Sequence, residues 1–136
     1  MGASSELLSH TAEVRVRVRA PSLGALAAEA GRALGTLQLG TRAPIASGPW
    51  RDLEIRAPDR EALLVEWLNE LIYIAETERW VGVEFEVRAS GDTMLSMRGR
   101  GMVVDQPPSR VKAATFHGLS ITTTPAGLEA DVVLDV

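Results

Sequence analysis

Residues 13–20 read EVRVRVRA, a strict alternation of apolar and charged residues. Because successive side chains of a β-strand point to opposite faces, the alternation predicts a strand with its three valines on one face. Glu13 and the three arginines share the other face. We take this segment as the first strand, and the other elements are placed around it.

Two amphipathic helices are predicted downstream of this strand. The first follows Ser22, a suitable N-cap, and extends to about residue 38. The second follows Asp59, extends to about Thr77 and has the clearer apolar stripe. We expect Tyr73 of this helix to pack in the core. The buried stripe is predicted to consist of Leu64, Trp67, Leu68, Leu71, Ile72 and Ala75.

Further strands are predicted where apolar residues alternate or where β-branched residues cluster between turn residues. A rigid break is expected at residues 106–109, which contain two prolines. Residues 110–117 fit either a helical turn or a strand, and periodicity leaves both open. The predicted strands cover residues 51–57, 81–88, the segment from the turn at 90–92 to Val104, 119–124 and 128–136.

These elements predict an α+β fold in two layers, with about two helices packed on a mostly antiparallel sheet. The 136 residues, 46% of them apolar, fit a single domain over residues 1–136. No internal repeat or linker is expected to divide the chain.

The composition narrows the possible functions. A formal net charge of -4 argues against tight RNA binding by the isolated chain. The cysteine count of 0 excludes thiolate catalysis and cysteine–zinc sites, and it agrees with a cytoplasmic protein. We expect no membrane span and no signal peptide. Lys112, His10 and His117 stand out as the only lysine and the only histidines.

The local motifs of common enzymes are missing from the sequence. No glycine-rich phosphate loop, no nucleophile elbow and no His-Glu-x-x-His segment occurs. Because residues that are distant in sequence can converge in a fold, an enzyme stays among the alternatives.

Three blocks of sequence carry a resemblance to a known family. They are SHTAEV at 9–14, LLVEWLNELIY at 63–73, and VKAATFHGL at 111–119, the last followed by LDV at 134–136. In order and spacing they resemble the archease family over the whole chain. The block at 63–73 fits many amphipathic helices, whereas the block at 111–119 together with the Asp-aliphatic end is specific.

The resemblance implies a non-catalytic, cytoplasmic activator of an RtcB-type RNA ligase. Members of the family promote guanylylation of the ligase, which uses GTP, and so permit multiple turnover in tRNA splicing or RNA repair. Two alternatives remain open. One is a metal-dependent hydrolase or nucleotidyl-transfer enzyme in its own right, and the other is an accessory protein of a tRNA methyltransferase.

The resemblance also implies a site for a divalent metal ion. Carried over by motif, its ligands are Glu13, Asp135 and the terminal residue Val136. Oxygen donors of this kind select hard cations, and flexible carboxylates suit Ca²⁺ better than Mg²⁺. The sequence departs from the family pattern at Glu13, which replaces an Asp, and at Ser9, which replaces an acidic residue.

Three further residues are candidates for activation or partner contact. Lys112 matches a family lysine implicated in activation, and its simpler interpretation is a solvated surface amine. His10 and His117 could contact the partner, or each could hold a loop through one hydrogen bond.

The two carboxylates also have a simpler interpretation, a salt-bridge ladder between the first and last strands. One antiparallel register gives two opposite-charge pairs, each contributing about 0.2–1 kcal/mol. The same register sets two carboxylates face to face, which is destabilising unless a cation lies between them. Its pairs are Glu13 with Asp135, Arg17 with Asp131, and Arg19 with Glu129.

Overall fold

A computed structural model of the protein describes residues 2–9, 13–105 and 111–136. Within these ranges the chain forms two helices and seven strands, so the predicted α+β class is confirmed. The elements are β1 (Ser4–Ser9), β2 (Glu13–Ala20), α1 (Leu23–Leu39), β3 (Ser47–Arg56), α2 (Arg60–Glu78), β4 (Trp80–Ser90), β5 (Met94–Val103), β6 (Ala113–Thr124) and β7 (Gly127–Asp135).

The strands form two antiparallel sheets rather than the one sheet expected. The first has the order β1-β2-β7-β6 and the second has the order β3-β5-β4. Buried side chains from both helices and from strands of both sheets pack into one cluster, so the helices link the two sheets.

The predicted helix boundaries are confirmed within one residue. The Ser22 hydroxyl accepts a hydrogen bond from the N–H of Ala25 at 3.3 Å. The Asp59 carboxylate accepts one from the N–H of Ala62 at 2.8 Å. Each cap satisfies a backbone N–H that has no partner within its helix.

The predicted stripe of α2 is buried throughout. Trp67 donates from Nε1 to the carbonyl oxygen of Ala27 at 2.8 Å, and its ring meets Phe85 edge-on at 5.2 Å. The expectation for Tyr73 is wrong, because this residue is 61% exposed. At 100° per residue, Tyr73 lies on the same side of the helix as Glu66 and Glu70, away from the stripe.

Three elements differ from the sequence analysis, and the first is β3, which begins at Ser47 rather than at residue 51. β1 was not predicted, because residues 4–9 (SSELLS) lack a regular alternation and instead pair along the edge of β2. Residues 113–117 are part of β6, which settles the choice between helical turn and strand for them. The break predicted at residues 106–109 lies outside the described residues.

Gly35 brings α1 close to β4, and it supports a test of the packing. A Cβ atom at residue 35 would overlap the carbonyl oxygen of Gly82, which belongs to backbone and cannot rotate away. Gly35→Ala is therefore expected to lower the free energy of unfolding by roughly 1–3 kcal/mol, as overpacking does. Gly91→Ala is the control, since nothing lies within 4 Å of its added Cβ. Equal urea midpoints for the two variants would contradict this packing.

Neither helix of the described ranges is long and apolar enough to cross a membrane.

Candidate functional site

β2 and β7 pair in the register that the ladder interpretation requires. β2 and β7 are antiparallel neighbours, with Glu13 opposite Asp135. The valine face of β2 is turned to the core, so the charged residues of both strands lie together on the outer face of the sheet. The complete register also sets Arg17 opposite Asp131 and Arg19 opposite Glu129.

Away from the end of the sheet, the ladder forms as expected. Arg17 Nε lies 2.9 Å from Asp131 Oδ1 and 3.2 Å from Glu129 Oε1. The hydrogen bond to Asp131, and then the charge of Asp131, raise the pKa of Arg17 above its ordinary value. Arg19 reaches Glu129 at 3.3 Å and Glu6 at 3.2 Å. These charges therefore have a structural explanation.

The end of the ladder is different, because two carboxylates face each other there. Glu13 and Asp135 are directly opposed, and opposed residues of antiparallel strands have Cβ atoms about 5 Å apart. Asp135 is exposed, and Glu13 is half-buried. Two carboxylates at this spacing offer oxygen donors to a hard cation.

Lys112 approaches the same pair from the other side of β7. Ala113, the first residue of β6, lies opposite Asp135. The backbone N–H of Lys112 donates to the carbonyl oxygen of Asp135 at 2.8 Å, and the Lys112 side chain is exposed. Because β7 lies between β2 and β6, the fold joins three segments that are distant in sequence around Asp135.

The remaining predicted residues are placed only in part. Val136 follows Asp135 directly and is 40% exposed. His10 lies outside the described residues. The backbone of His117 is part of β6, where the pairing with β7 is irregular between Thr115 and Ser120, but its side chain lies outside the described part.

The donor set can be compared with what a metal ion requires. Among the residues that the structure describes, no group of three His, Cys, Asp or Glu side chains is arranged to hold a metal. The predicted set contains two such side chains, Glu13 and Asp135, and takes its third donor from the main chain of Val136. Its chemistry is carboxylate oxygen throughout, which fits a hard cation with water completing the shell.

Asn69 is a residue near this site that the sequence analysis did not single out. Its side chain forms two hydrogen bonds with the backbone of Ala114 in β6, at 2.8 and 3.2 Å. The only signal in the sequence was a polar residue inside the second motif block, where a solvated side chain is the usual case.

A groove of about 740 Å³ in the described structure lies away from these residues. Arg51 stacks on Trp80 there at 4.9 Å and pairs with Glu78 at 3.1 Å. The hydrogen bond from Arg51 lowers the pKa of Glu78 below its ordinary value. The charges of Arg51 and Glu78 therefore neutralise each other, and neither is left to attract a charged ligand to this groove.

The chain is similar in sequence to proteins named archease. The protein archease of Methanosarcina barkeri is 29% identical over 143 residues, covering 99% of this chain and 97% of its own length. The protein archease of Methanothermobacter thermautotrophicus is 34% identical over 92 residues, covering 63% of this chain and 66% of its own.

Two solved structures are similar in fold. The solution structure of protein 1598 of Methanobacterium thermoautotrophicum superposes with a TM-score of 0.74 at 26% identity, covering 97% of this chain and 98% of the other. The crystal structure of a Thermotoga maritima protein, described as an archease and possible chaperone, superposes with a TM-score of 0.62 at 16% identity, covering 95% and 94%.

The family model described as Archease protein family (MTH1598/TM1083) matches residues 6–136. This range includes all three sequence blocks and the LDV segment at 134–136. The chain belongs to the archease family.

Proposed function

We propose that this protein is a non-catalytic activator of an RtcB-type RNA ligase, promoting guanylylation of the ligase and multiple turnover in tRNA splicing or RNA repair. The single observation that carries the proposal is the convergence of Glu13, Asp135 and Lys112 at one end of the four-stranded sheet. These residues belong to separate motif blocks, and the register joins two of them directly.

The metal part of the proposal assigns Glu13, Asp135 and the terminal carboxylate of Val136 as ligands of a divalent cation, with Ca²⁺ preferred. A bound cation would take oxygen ligands from the two opposed carboxylates. It would also hold the end of β7 against β2. By binding the cation together, these ligands would fix the position of Asp135. The backbone of Lys112 would then be fixed as well, because it is hydrogen-bonded to Asp135.

Two observations support a helper role. The sequence contains none of the local motifs by which nucleotide-using enzymes hold phosphate. The related fold of Thermotoga maritima carries the description of a possible chaperone, a class of proteins that act on other proteins. We place the chemistry of ligation, including the use of GTP, in the ligase.

The proposal is tested with purified ligase from the same organism. The protein is expected to co-purify with the ligase and to increase the fraction of ligase that carries covalent GMP after incubation with radiolabelled GTP. A ligase that is guanylylated at the same rate with and without the protein would argue against activation.

The enzyme alternative is tested in the same experiment without the ligase. We expect the protein alone to leave GTP intact in the presence of Ca²⁺, Mg²⁺ or Mn²⁺. Release of GMP, GDP or phosphate that disappears in Asp135→Asn would instead make the carboxylates part of a catalytic site.

The isolated protein is expected to bind RNA weakly at physiological salt. Its net charge of -4 opposes the phosphate backbone. Fluorescence anisotropy with labelled RNA over a salt series measures this. Tight binding that falls steeply with salt would contradict an effect exerted only through the ligase.

A further inference from the structure

Asn69 of α2 bonds to the backbone of β6 beside the candidate site. Its Nδ2 donates to the carbonyl oxygen of Ala114 at 3.2 Å, and its Oδ1 accepts from the N–H of Ala114 at 2.8 Å. The side-chain amide therefore presents the same donor and acceptor that the backbone of a neighbouring strand would present. Since both polar groups of Ala114 are directed to α2, this part of the strand edge is paired with the helix.

In addition to its pairing with β7, the beginning of β6 is held by two backbone anchors. On the inner side, the N–H of Lys112 donates to the carbonyl oxygen of Asp135 at 2.8 Å. On the outer side, two residues further along, Asn69 holds Ala114. β6 is the edge strand of its sheet, and the end of an edge strand opens readily when few groups hold it.

We propose that Asn69 is a positioning residue, which keeps Lys112 in register with Asp135 by fixing the start of β6 to α2. Asn69 is bonded to the strand backbone and acts through it. The functional importance of this register rests on the proposed activation of the ligase, whereas the register itself can be measured on the isolated protein.

The first experiment is native-state hydrogen exchange on the wild type and on Asn69→Ala. The exchange of the Ala114 and Lys112 amides is expected to accelerate by about tenfold or more, because two hydrogen bonds that resist local opening are lost. The exchange rates of amides in β2 and in the central part of β7 should change only as much as the change in global stability requires.

Trp67→Phe is the matched control variant. It removes one interelement hydrogen bond from the same helix, but that bond runs from Trp67 to Ala27 of α1. This variant is expected to lower global stability and to leave the exchange of Lys112 and Ala114, relative to the rest of the chain, as in the wild type.

Asn69→Asp tests the two hydrogen bonds of the side chain separately, because it keeps the acceptor and removes the donor. Its carboxylate can accept from the N–H of Ala114 but, when ionised, cannot donate to the carbonyl oxygen. We expect protection of the Ala114 amide to be restored in part. If Asn69 were only a surface residue of the helix, protection of the Ala114 amide would not decrease in the order Asn, Asp, Ala.

The second experiment measures stimulation of the ligase below the melting temperature of every variant. Asn69→Ala should lower stimulation several-fold, and Trp67→Phe should not. Wild-type exchange of Lys112 and Ala114 in Asn69→Ala would overturn the proposal, and so would accelerated exchange with full stimulation. If the wild type does not stimulate the ligase, the proposed function fails, and the exchange rates alone then decide whether Asn69 holds the register.

Discussion

Lys112→Ala is expected to abolish most of the stimulation of the ligase after its first turnover, by roughly tenfold or more, which corresponds to the loss of one contact made by a charged group. The side chain is exposed, and the structural bond of this residue is made by its backbone, so folding should be preserved within about 0.5 kcal/mol. The measurement is product formed with RNA in excess over ligase, together with a urea unfolding curve.

Lys112→Arg tests whether charge alone is sufficient. Arginine keeps the positive charge but replaces a compact ammonium with a wide planar group, so we expect partial activity. Arg17, which is held by Asp131 in the ladder, offers a control at the same sheet. Arg17→Ala removes a charge of the same sign and is expected to lower stability while leaving stimulation largely intact. Full stimulation by Lys112→Ala would remove this residue from the mechanism.

Ca²⁺ is expected to raise the melting temperature of the wild-type protein. At a free concentration one hundred times the dissociation constant, a ligand that binds only the folded state adds about 2.7 kcal/mol. For a chain of this size that corresponds to roughly 10 °C. The physical source is the coordination of the cation by Glu13 and Asp135, which orders the end of β7.

Three variants locate the effect in the chain. Asp135→Asn removes a ligand and should abolish the shift. A short C-terminal extension after Val136 keeps every side chain, moves the terminal carboxylate away and should reduce the shift. Asp131→Asn is the matched control, because its carboxylate lies on the same strand and face but pairs with Arg17. If Ca²⁺ raises the melting temperature equally in all four proteins, these residues do not form a metal site.

Much of the fold follows from short segments of sequence. The alternation at 13–20 predicted a half-buried strand. Its charged residues then restricted the register with the last strand, because a charged residue is stabilised when the residue opposite it carries the opposite charge. The helix caps Ser22 and Asp59 placed both helices, since a polar side chain at an N-cap serves one specific backbone group.

Other features depend on tertiary contacts that no local pattern expresses. β1 is held by the edge of β2 and has no alternation of its own. The start of β6 pairs with β7 on one side, and Asn69 bonds to Ala114 on the other side. The division of the strands into two sheets likewise results from packing on the helices and not from any strand alone.

The candidate site was predictable as a set of residues but not as an arrangement. Motif blocks indicated Glu13, Lys112 and Asp135, and charge pairing gave the register between β2 and β7. The approach of Lys112 depends on the position of β6 at the far side of β7, and the contribution of Asn69 depends on a helix–strand contact. Metal binding and the role of each residue remain predictions.

Multiple-turnover ligation tests the central claim most directly. The ligase of the same organism is mixed with GTP, metal ion and a large excess of RNA ends, with and without this protein. We predict that ligation stops near one product per ligase in its absence and continues in its presence, whereas the protein alone joins no RNA. Equal product curves with and without the protein, at a concentration where the two proteins co-purify, would contradict the account.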